Sequence, residues 1–347
     1  MGYPEINLSY LRTLTDSTGI IQHAAHSVPN RRLGYTTDDN SRALIVAAQH
    51  YEQTREREDL DLAVEYLSFL HYARSADNRF KNFMTYQRVF LDDEGTEDSF
   101  GRALWSCGYV SASALPENIR VVAKKLFENC LVWVGDLESP RARAYSILAM
   151  YEFLRVHEDR AGLKSKIDAL ADSLLAGLKA YSTANWVWYE PYLTYGNAII
   201  ALGMLVAGEV TGREKYRQAA KKTIGFLTDT LIVNGRLEIV GNDGWYMRDG
   251  KRAWYDQQSI DAGYTVYLYV SAYKLLRDKR FLDLARIAHS WFFGNNRSGL
   301  WVYDPETHGC CDAICAWGLN LNQGAESCVS FLLAQLAMKD FGDADSS

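Results

Sequence analysis

The chain has 347 residues, of which 48% are hydrophobic and 23% are charged, so it has enough apolar surface to bury a large core. These proportions exclude disorder as a description of the whole chain. Lysine and arginine number 37 against 43 aspartates and glutamates, which gives a formal net charge of −6. Nucleic-acid-binding proteins usually carry a basic face, and this sequence shows none, so we expect no nucleic-acid partner.

The sequence begins without a basic stretch followed by an apolar segment, and no run of about 18 apolar residues occurs in it. We therefore predict a soluble, cytoplasmic protein with no membrane partner. A reducing compartment keeps cysteines as thiols, and three of the six lie in apolar helical patterns, so we predict free core cysteines rather than disulfides. The six are Cys107, Cys130, Cys310, Cys311, Cys315 and Cys328.

Two kinds of helical pattern alternate along the chain. In the first, apolar residues recur at spacings of three and four opposite a polar face, which predicts helices on the surface of the fold. These segments are 60–70, 119–130, 163–178, 216–227 and 281–292. In the second kind, found at 197–207 and 330–338, the residues are apolar nearly all round, which predicts helices buried on every side.

A short polar segment introduces each buried helix, and six such segments occur. They begin at Asp38, Glu97, Ser139, Glu190, Asp256 and Asn322. Six pairs of an inner and an outer helix can close into a ring in which every helix has a neighbour. The sequence therefore predicts an all-α (α/α)6 toroid that forms one domain over residues 1–347, with residues 5–15 as the outer partner of the first inner helix.

Long connections precede the second, fifth and sixth inner helices. Residues 79–91 carry aromatics at strand-like positions, and residues 235–254 contain turn sequences at 242–244 and 249–250, which predicts a β-hairpin. Loops of this length inside a compact domain are usually functional. We expect all of them to enter the same end of the ring, at the rim of one central pocket.

The ring topology brings the six polar segments to that rim, where acidic residues collect. We expect helix capping and favourable helix-dipole contacts to explain about half of these residues. Capping does not explain Asp261 or Glu326, because each lies inside a helix otherwise made of core residues, and a buried carboxylate needs a partner or a role. The rim carboxylates are Asp38, Asp39, Glu97, Asp98, Glu190, Asp256, Asp261, Asp312 and Glu326.

Sequence neighbours suggest two kinds of carboxylate. Asp39 precedes Arg42 by three residues and Asp98 precedes Arg102 by four, spacings that place each pair on one helix face. An arginine keeps a carboxylate ionised, which suits a general base or a hydroxyl-binding anchor, although a plain structural ion pair explains the spacing equally well.

Asp256 and Glu190 instead lie among aromatic residues, and aromatic burial without a cation favours the protonated form that a general acid needs. Glycoside hydrolysis requires two carboxylates in two such different environments.

Other chemistries fit the sequence less well. His308 and the Cys310–Cys311 pair lack a second pair of ligands at the spacing of a zinc site, so we predict no metal. No glycine-rich phosphate loop follows a strand, so we predict no cofactor. Asp38 and Asp39 lack the third carboxylate of a diphosphate-binding motif, which leaves a terpene cyclase as a minor option. The histidines are expected mostly in outer helices or at their ends, whereas a sugar epimerase on this fold would be expected to place them on inner helices.

Several of these segments, taken together, resemble a family of six-hairpin glycosidase-like proteins whose members occur alone or fused to bacterial glycosyltransferases. The resemblance implies the (α/α)6 toroid, a carbohydrate substrate and inverting hydrolysis as the usual chemistry. Gly196, Cys311 and the apolar stretch at 313–317 depart from the pattern and indicate a locally altered pocket. The matching segments are Asp38-Asp-Asn-Ser-Arg-Ala-Leu, Glu97-Asp-Ser-Phe-Gly-Arg-Ala-Leu-Trp, Asp256-Gln-Gln-Ser-Ile-Asp-Ala, Tyr303-Asp-Pro-Glu-Thr-His-Gly-Cys-Cys-Asp and Asn320-Leu-Asn-Gln-Gly-Ala-Glu-Ser.

Our leading hypothesis is an inverting glycoside hydrolase acting on an oligosaccharide, with Asp256 or Glu326 as the acid and Asp98 or Asp39 as the base. It requires two rim carboxylates within about 10 Å of each other across the pocket. A sugar-binding module that acts beside a glycosyltransferase, and a sugar epimerase or isomerase, are the alternatives.

Further residues have predicted roles in binding the sugar. Trp188 and Trp245 would stack on sugar rings, while Gln257, Asn322 and Gln323 would bind hydroxyl groups. The net charge of −6 argues weakly against a strongly anionic polysaccharide, although the arginines near the rim suit an acidic sugar. The remaining predicted substrate-binding residues are Tyr35, Asp38, Arg42, Glu97, Arg102, Arg141, Glu190, Asn197, Asp261 and Asp312.

Overall fold

A computed structural model describes residues 4–159 and 162–341 of the chain. Twelve α-helices occur in these residues, joined by short strands and three 3₁₀ turns at Leu131–Asp136, Ser290–Phe292 and Lys339–Phe341. The helices are α1 (Ser9–Leu14), α2 (Thr37–Thr54), α3 (Arg57–Ala73), α4 (Glu97–Ser111), α5 (Glu117–Cys130), α6 (Pro140–Leu154), α7 (Leu163–Tyr181), α8 (Asn197–Thr211), α9 (Glu214–Leu231), α10 (Ser259–Leu276), α11 (Lys279–His289) and α12 (Ala325–Met338).

The even-numbered helices form a closed inner ring. Each packs against the preceding and the following even-numbered helix, and α12 packs against α2 to complete the circle. Nearly all residues of α8 and α12 are buried, whereas α5, α7 and α9 bury one face only. The predicted (α/α)6 toroid is confirmed, with the fully apolar helices inside and the amphipathic helices outside.

The N-terminal helix has a different neighbour from the one that the sequence predicts. The main helix that α1 packs against is α12, not α2, and Tyr10 Oη donates a hydrogen bond to the Gln323 carbonyl oxygen at 2.9 Å. The outer partner of α2 is α3. Because each outer helix follows its inner partner in the chain, the last inner helix finds its second outer neighbour at the N-terminus, and α1 fills that position.

All thirteen strands of the described residues lie in connections that lead from an outer helix to the next inner helix, so they decorate one end of the ring. They pair antiparallel, as β1 with β2, β3 with β4, β5 with β6, β7 with β10, β8 with β9, and β11 with β12 and β13. Their bounds are β1 (Thr15–Asp16), β2 (Gly19–Ile20), β3 (Ala24–Ala25), β4 (Val28–Pro29), β5 (Tyr35–Thr36), β6 (Phe83–Met84), β7 (Tyr192–Leu193), β8 (Ile232–Val233), β9 (Arg236–Leu237), β10 (Tyr246–Met247), β11 (Gln257–Gln258), β12 (Ala313–Cys315) and β13 (Gly318–Asn320).

The hairpin predicted across 235–254 is wrong in its main pairing. β9 pairs with β8 and β10 pairs with β7, so the two segments around the 242–244 turn do not pair with each other. Glu238 is buried between Arg236 and Arg297, and this charged contact holds the first segment in the core. Only the second turn forms a small hairpin, in which Tyr246 bridges to Arg252.

The centre of the ring is filled by aromatic side chains. The ring of Trp105 lies with its centroid 5.9 Å from that of Tyr145 and 5.6 Å from that of Tyr267, and Tyr145 lies 6.1 Å from Tyr264. These rings separate the end that carries the strands from a cavity of about 410 Å³ at the opposite end. The toroid is therefore not a channel.

The six cysteines are buried free thiols, as predicted. Within 4–159 and 162–341, no helix combines the length and the apolar composition needed to cross a lipid bilayer.

Candidate functional site

The N-termini of the six inner helices converge at the end of the ring that carries the strands, and we call the depression between them the bowl. Side chains cap three of these helices: Thr36, Thr96 and Ser139 each accept a hydrogen bond from a backbone N–H of the first turn. Ser139 belongs to a predicted polar segment, whereas the two threonines precede the segments that begin at Asp38 and Glu97. We call the part formed by α10, α12 and α2 with their preceding loops the open half, and the part formed by α4, α6 and α8 the closed half.

The open half surrounds a cavity of about 350 Å³, which is at the lower end of the range for small-molecule sites. Five carboxylates, one histidine and several amides and hydroxyls line it. The lining residues are Gln22, His23, Thr36, Asp38, Asp39, Asn82, Phe83, Asn242, Asp256, Gln258, Asp312, Ala313, Cys315, Asn320, Gly324, Glu326 and Ser327.

Arg42 organises three of these carboxylates. Its side chain is buried, and Nη2 donates hydrogen bonds to Asp39 Oδ1 at 2.8 Å, Asp38 Oδ2 at 3.3 Å and Glu326 Oε2 at 3.2 Å. The spacing of Asp39 and Arg42 therefore forms the predicted ion pair. Arg42 also reaches across to Glu326 on α12, a contact that the sequence pattern did not indicate. Charge-assisted bonds of this kind fix the position of each carboxylate.

A second arginine completes this cluster. Arg102 of α4 donates to Asp38 Oδ1 and, through Nε, to Tyr145 Oη at 3.1 Å. Burial alone would raise the pKa of Asp38, but the guanidinium groups of Arg102 and Arg42 outweigh it and hold that pKa below its usual value. Asp38 therefore stays ionised. The sequence predicted an ion pair between Arg102 and Asp98, but Arg102 forms its ion pair with Asp38.

Asp39 has the opposite electrostatic balance. Burial raises its pKa to about 7, the charges of Asp38 and Glu326 act in the same direction, and Arg42 offsets them only in part. Both of its oxygens accept hydrogen bonds, Oδ1 from Arg42 and Oδ2 from Thr36 at 2.6 Å. Three carboxylates thus face two guanidinium groups, and Asp39 is the member of the cluster that holds a proton near neutral pH.

Glu326 is the most accessible carboxylate of this cluster, with 41% of its side chain exposed. Arg42 holds Oε2, while Oε1 accepts no hydrogen bond from the residues that the structure describes. Asp312 lies beside it and accepts hydrogen bonds on Oδ1 from the Gly324 N–H and the Ser327 hydroxyl, both at 2.8 Å. Burial raises the pKa of Asp312, although these two bonds and the nearby His23 oppose the shift.

Asp256 approaches the same cavity from the loop that precedes α10. Its backbone is left-handed, with φ +42°, and its carboxylate hydrogen-bonds to the thiol of Cys315 on β12. Burial and this carboxylate raise the pKa of Cys315 to about 12, so the thiol keeps its proton. Across 4–159 and 162–341, Asp256 forms no salt bridge with a cation; the ion pairs in those residues involve other carboxylates.

The closed half holds carboxylates that are already occupied by protein donors. Glu97 Oε2 accepts from the backbone N–H groups of Glu138 and Ser139, which fixes the start of α6. Asp98 accepts from the Ser139 hydroxyl at 2.6 Å and from Tyr195 Oη at 2.7 Å. Neither residue lines the cavity.

Glu190 also differs from its prediction, because it does have a cationic partner. Arg141 Nη1 lies 3.0 Å from Glu190 Oε2, and its other donors contact Thr194 and the Tyr195 carbonyl oxygen. Burial raises the pKa of Glu190 and Arg141 opposes that shift. Arg141 is therefore occupied by a buried ion pair.

Asp261 lies deeper in the bowl, between α10 and α8. Oδ1 accepts the Gly196 N–H at 2.8 Å, and Oδ2 has no hydrogen-bond partner among the described residues. Burial raises the pKa of Asp261 to about 7. Asp261 is thus buried, as the sequence suggested, and has no cation in hydrogen-bond contact among the described residues, but it does not line the cavity.

Two of the predicted hydroxyl-binding amides serve the protein itself. Gln257 is fully buried, accepts from Trp291 Nε1 at 3.1 Å and donates to Glu238. Gln323 is also buried, donating to Asp304 and accepting from Thr307, each at 2.8 Å. These predictions were wrong because the amides point away from the bowl.

Four other predicted binding residues lie outside the cavity lining. Asn322 accepts the His26 N–H, Asn197 bonds to the backbone of Thr194, and Tyr35 donates to Asp16 at 2.8 Å. Trp188 is fully buried against Phe226 and Tyr189. Each is a structural residue.

Trp245 is half-buried, with its ring 6.4 Å from that of Tyr195, and it is likewise absent from the lining.

Sequence reasoning missed residues that do face the cavity. Gln258 lies there while Gln257 lies in the core, because successive side chains of a strand point to opposite faces. Recognising residues 257–258 as a strand would have predicted that the two glutamine side chains point to opposite faces. His23 was grouped with the histidines expected in outer helices or at their ends, but it lies on a loop before the first inner helix. Among the described residues, no group of three or more histidine, cysteine or acidic side chains is placed to hold a metal ion.

No protein-family model and no curated protein sequence matches the chain. Solved structures do match it. Cellobiose 2-epimerase from Bacillus thermoamylovorans superposes with a TM-score of 0.74 at 13% identity, covering 96% of each chain. D-mannose isomerase gives 0.71 at 13% identity, covering 96% of this chain and 95% of that one.

A family 76 glycoside hydrolase α-mannanase from Bacteroides thetaiotaomicron gives a TM-score of 0.66 at 12% identity, covering 96% of this chain and 94% of that one. At these identities the similarity establishes a shared (α/α)6 fold.

Proposed function

We propose that the chain is a carbohydrate-active enzyme, and that it is an inverting glycoside hydrolase whose acid and base lie in the open half of the bowl. The observation that carries this proposal is the convergence of five carboxylates on one cavity of about 350 Å³. Amides and hydroxyls from Gln258, Asn242 and Asn320 supply paired donors and acceptors for sugar hydroxyls. The fold shared with epimerases, an isomerase and glycosidases supports a sugar ligand.

In this proposal Glu326 is the general base, and not the acid that the sequence hypothesis allowed. Both oxygens of Asp39 are occupied by protein donors, whereas Glu326 keeps Oε1 open toward the cavity and is held by Arg42 through Oε2. Asp39 does not form the catalytic pair with Glu326. Arg42 Nη2 contacts Asp39 Oδ1 and Glu326 Oε2, so these two oxygens are within about 6 Å of each other, but the guanidinium occupies the place between them that a glycosidic bond would need. Arg42 fixes the position of the Glu326 carboxylate, and Oε1 is then available to take a proton from the attacking water.

Asp256 is the general acid in this proposal. It reaches the cavity from α10, on the other side of α12 from α2, and has no salt-bridge partner among the described residues. A sugar bound in the cavity lies against this carboxyl group, which is then placed to donate a proton to the leaving oxygen.

The test is turnover of a panel of mannosides, glucosides and uronides, with and without phosphate, followed by NMR. The proposal predicts hydrolysis of at least one substrate with inversion at the anomeric carbon. Glu326→Gln and Asp256→Asn should each abolish it, while Glu97→Gln, in the closed half, should leave most of it. Turnover that survives both open-half substitutions would overturn the assignment. No turnover with retained binding would favour the sugar-binding module.

A sugar epimerase is the second candidate, because His23 lines the cavity beside Asp312. An epimerase must remove and return a carbon-bound proton, and a neutral imidazole suits that step. Incubating free sugars with the enzyme in D₂O separates the two functions: an epimerase incorporates deuterium at carbon, and a hydrolase does not. His23→Ala should abolish the incorporation if this candidate is correct.

Three expectations from the sequence stay predictions: a single domain over 1–347, a cytoplasmic location and a glycosyltransferase partner. Size-exclusion chromatography with limited proteolysis tests the first, because a single toroid should resist cleavage between its helices.

A further inference from the structure

The hairpin of β12 and β13 ends in an exposed tryptophan. Cys315 pairs with Gly318, so residues 316 and 317 form the turn, and Gly318 adopts φ +134°, which glycine tolerates. The side chain of Trp317 is 76% exposed. The geometry points to Trp317 as a stacking platform for a sugar unit outside the cavity, so that the substrate is a neutral oligosaccharide longer than the cavity can hold. This inference rests on the proposed sugar ligand.

The hairpin itself forms part of the cavity wall. Ala313 and Cys315 line the cavity from β12, and Asn320 lines it from β13. Ile314, between the first two, is buried in the core, as the alternation of a strand requires. Trp317 lies in the turn, two residues after Cys315, and so is exposed at the tip of the hairpin whose two strands form this wall.

Trp317 differs from the other tryptophans of the chain. Each of the other eight lies against an aromatic ring or a guanidinium group, for example Trp301 against Phe293 and Trp254 beneath Arg297. Trp317 has no such neighbour in the part of the chain that the structure describes. An indole that is left in water gains from any apolar face that covers it, and the C–H face of a sugar is such a surface.

The platform is held firmly in place. β12 pairs with β11 on its other edge, with Ala313 opposite Gln258, so the hairpin is the outer part of a three-stranded sheet attached to α10. Inside the cavity, Phe83 presents a second partly exposed ring from β6. A sugar chain that starts in the cavity and leaves along the hairpin thus meets one aromatic surface within the site and another outside it.

Charge identifies the class of sugar that the outer position accepts. The hairpin segment Ala313-Ile-Cys-Ala-Trp-Gly-Leu-Asn-Leu contains no ionisable group apart from its thiol, and burial raises the pKa of that thiol to about 12. A uronate stacked on the hairpin would lose part of its hydration without gaining a cation from the hairpin itself. The outer position therefore suits a neutral sugar unit, while the five carboxylates of the cavity also disfavour an anionic one.

Binding of sugars of increasing length tests the inference. Glu326→Gln stops turnover in the proposed function, so the double variant Glu326→Gln/Trp317→Ala can be compared with Glu326→Gln alone. Both are titrated calorimetrically with mannose- and glucose-based oligosaccharides of one to six units. We expect the single variant to bind longer chains more tightly, and Trp317→Ala to weaken the binding of those chains about ten-fold while changing monosaccharide binding less than about two-fold.

The matched control is Trp301→Ala, which removes another half-exposed tryptophan that does not line the cavity, and it should leave all affinities unchanged. Equal affinities with and without Trp317, or an equal loss for every chain length, would overturn the stacking role while leaving the proposed function intact. Absence of binding for sugars of every length, in the wild-type protein as well, would overturn both. Because Trp317 contacts little, its replacement should not change the thermal unfolding temperature, which verifies that the variant is folded.

Discussion

The two halves of the bowl contain the same kinds of side chain and use them differently. In the closed half, Glu97, Asp98 and Glu190 each satisfy a backbone N–H, a hydroxyl or a guanidinium of the protein, and none of them lines the cavity. In the open half, Glu326 and Asp256 face an open space and keep at least one oxygen available to a ligand. The halves differ in the partners of their carboxylates, and composition alone does not reveal partners.

Replacing one glutamate in each half tests which half contains the reacting groups. Glu326→Gln should lower turnover of the best substrate by about 10²- to 10⁴-fold, because it removes the general base. Glu97→Gln should lower turnover less than about ten-fold, because that residue caps a helix. Steady-state kinetics measures both. A larger loss for Glu97→Gln would show that the reacting groups lie in the closed half.

Arg42 should have the largest effect on stability. It is buried and hydrogen-bonds to three carboxylates, so Arg42→Met leaves buried negative charge without this partner and should cost about 3–5 kcal/mol in the free energy of unfolding. Arg57→Met breaks an exposed pair with Asp61 and should cost less than about 1 kcal/mol. Urea denaturation compares them, and equal costs would contradict the assigned role of the cluster.

Asp261 should make stability depend on pH. Its pKa is about 7 in the folded protein and near its ordinary value when unfolded, so the folded state binds the proton more tightly. The stabilisation is complete below the unfolded pKa and is lost as pH rises through 7.

Asp261→Asn removes this titration, so at pH 8 it should be more stable than wild type, by up to about 4 kcal/mol, and the gain should shrink toward pH 4. Thermal unfolding between these pH values measures the effect. Asp283→Asn, on the exposed surface, should show no such trend. A gain for Asp261→Asn that does not change with pH would contradict the account.

The adjacent residues Gln257 and Gln258 should show the smallest effects, one on stability and the other on sugar binding. Gln257→Ala should cost about 1–3 kcal/mol of stability, because buried bonds to Trp291 and Glu238 are lost, and should leave sugar binding intact. Gln258→Ala should weaken sugar binding by about ten-fold and leave stability nearly unchanged, because its side chain faces the cavity. Calorimetric titration and thermal unfolding of both variants measure the contrast, and the reverse pattern would mean that the strand is in the wrong register.

The fold was predictable because it depends on periodicity. Helices apolar all round alternate with amphipathic helices, and six repeats close without free edges, so α8 and α12 were recognised from residues 197–207 and 330–338 alone. The helix partner of α1 was not predictable in the same way, because it depends on which inner helix lacks a second outer neighbour once the ring has closed.

The site was only partly predictable, because its contacts join residues distant in sequence. The Asp39–Arg42 pair follows from helical spacing, but the bonds from Arg42 to Glu326 and from Arg102 to Asp38 span 284 and 64 residues. The direction of individual side chains was also not predictable. Gln257 and Trp188 have the residue types of a sugar site, and only burial shows that they face the core.

The most direct measurement is the position of an oligosaccharide in crystals of the Asp256→Asn variant. We expect a sugar ring in the cavity between α10, α12 and α2, in contact with Glu326 and Asp312, with the chain leaving over Trp317. An oligosaccharide bound at the far end of the toroid, near Glu152 and Lys274, or only among the outer helices, would contradict it.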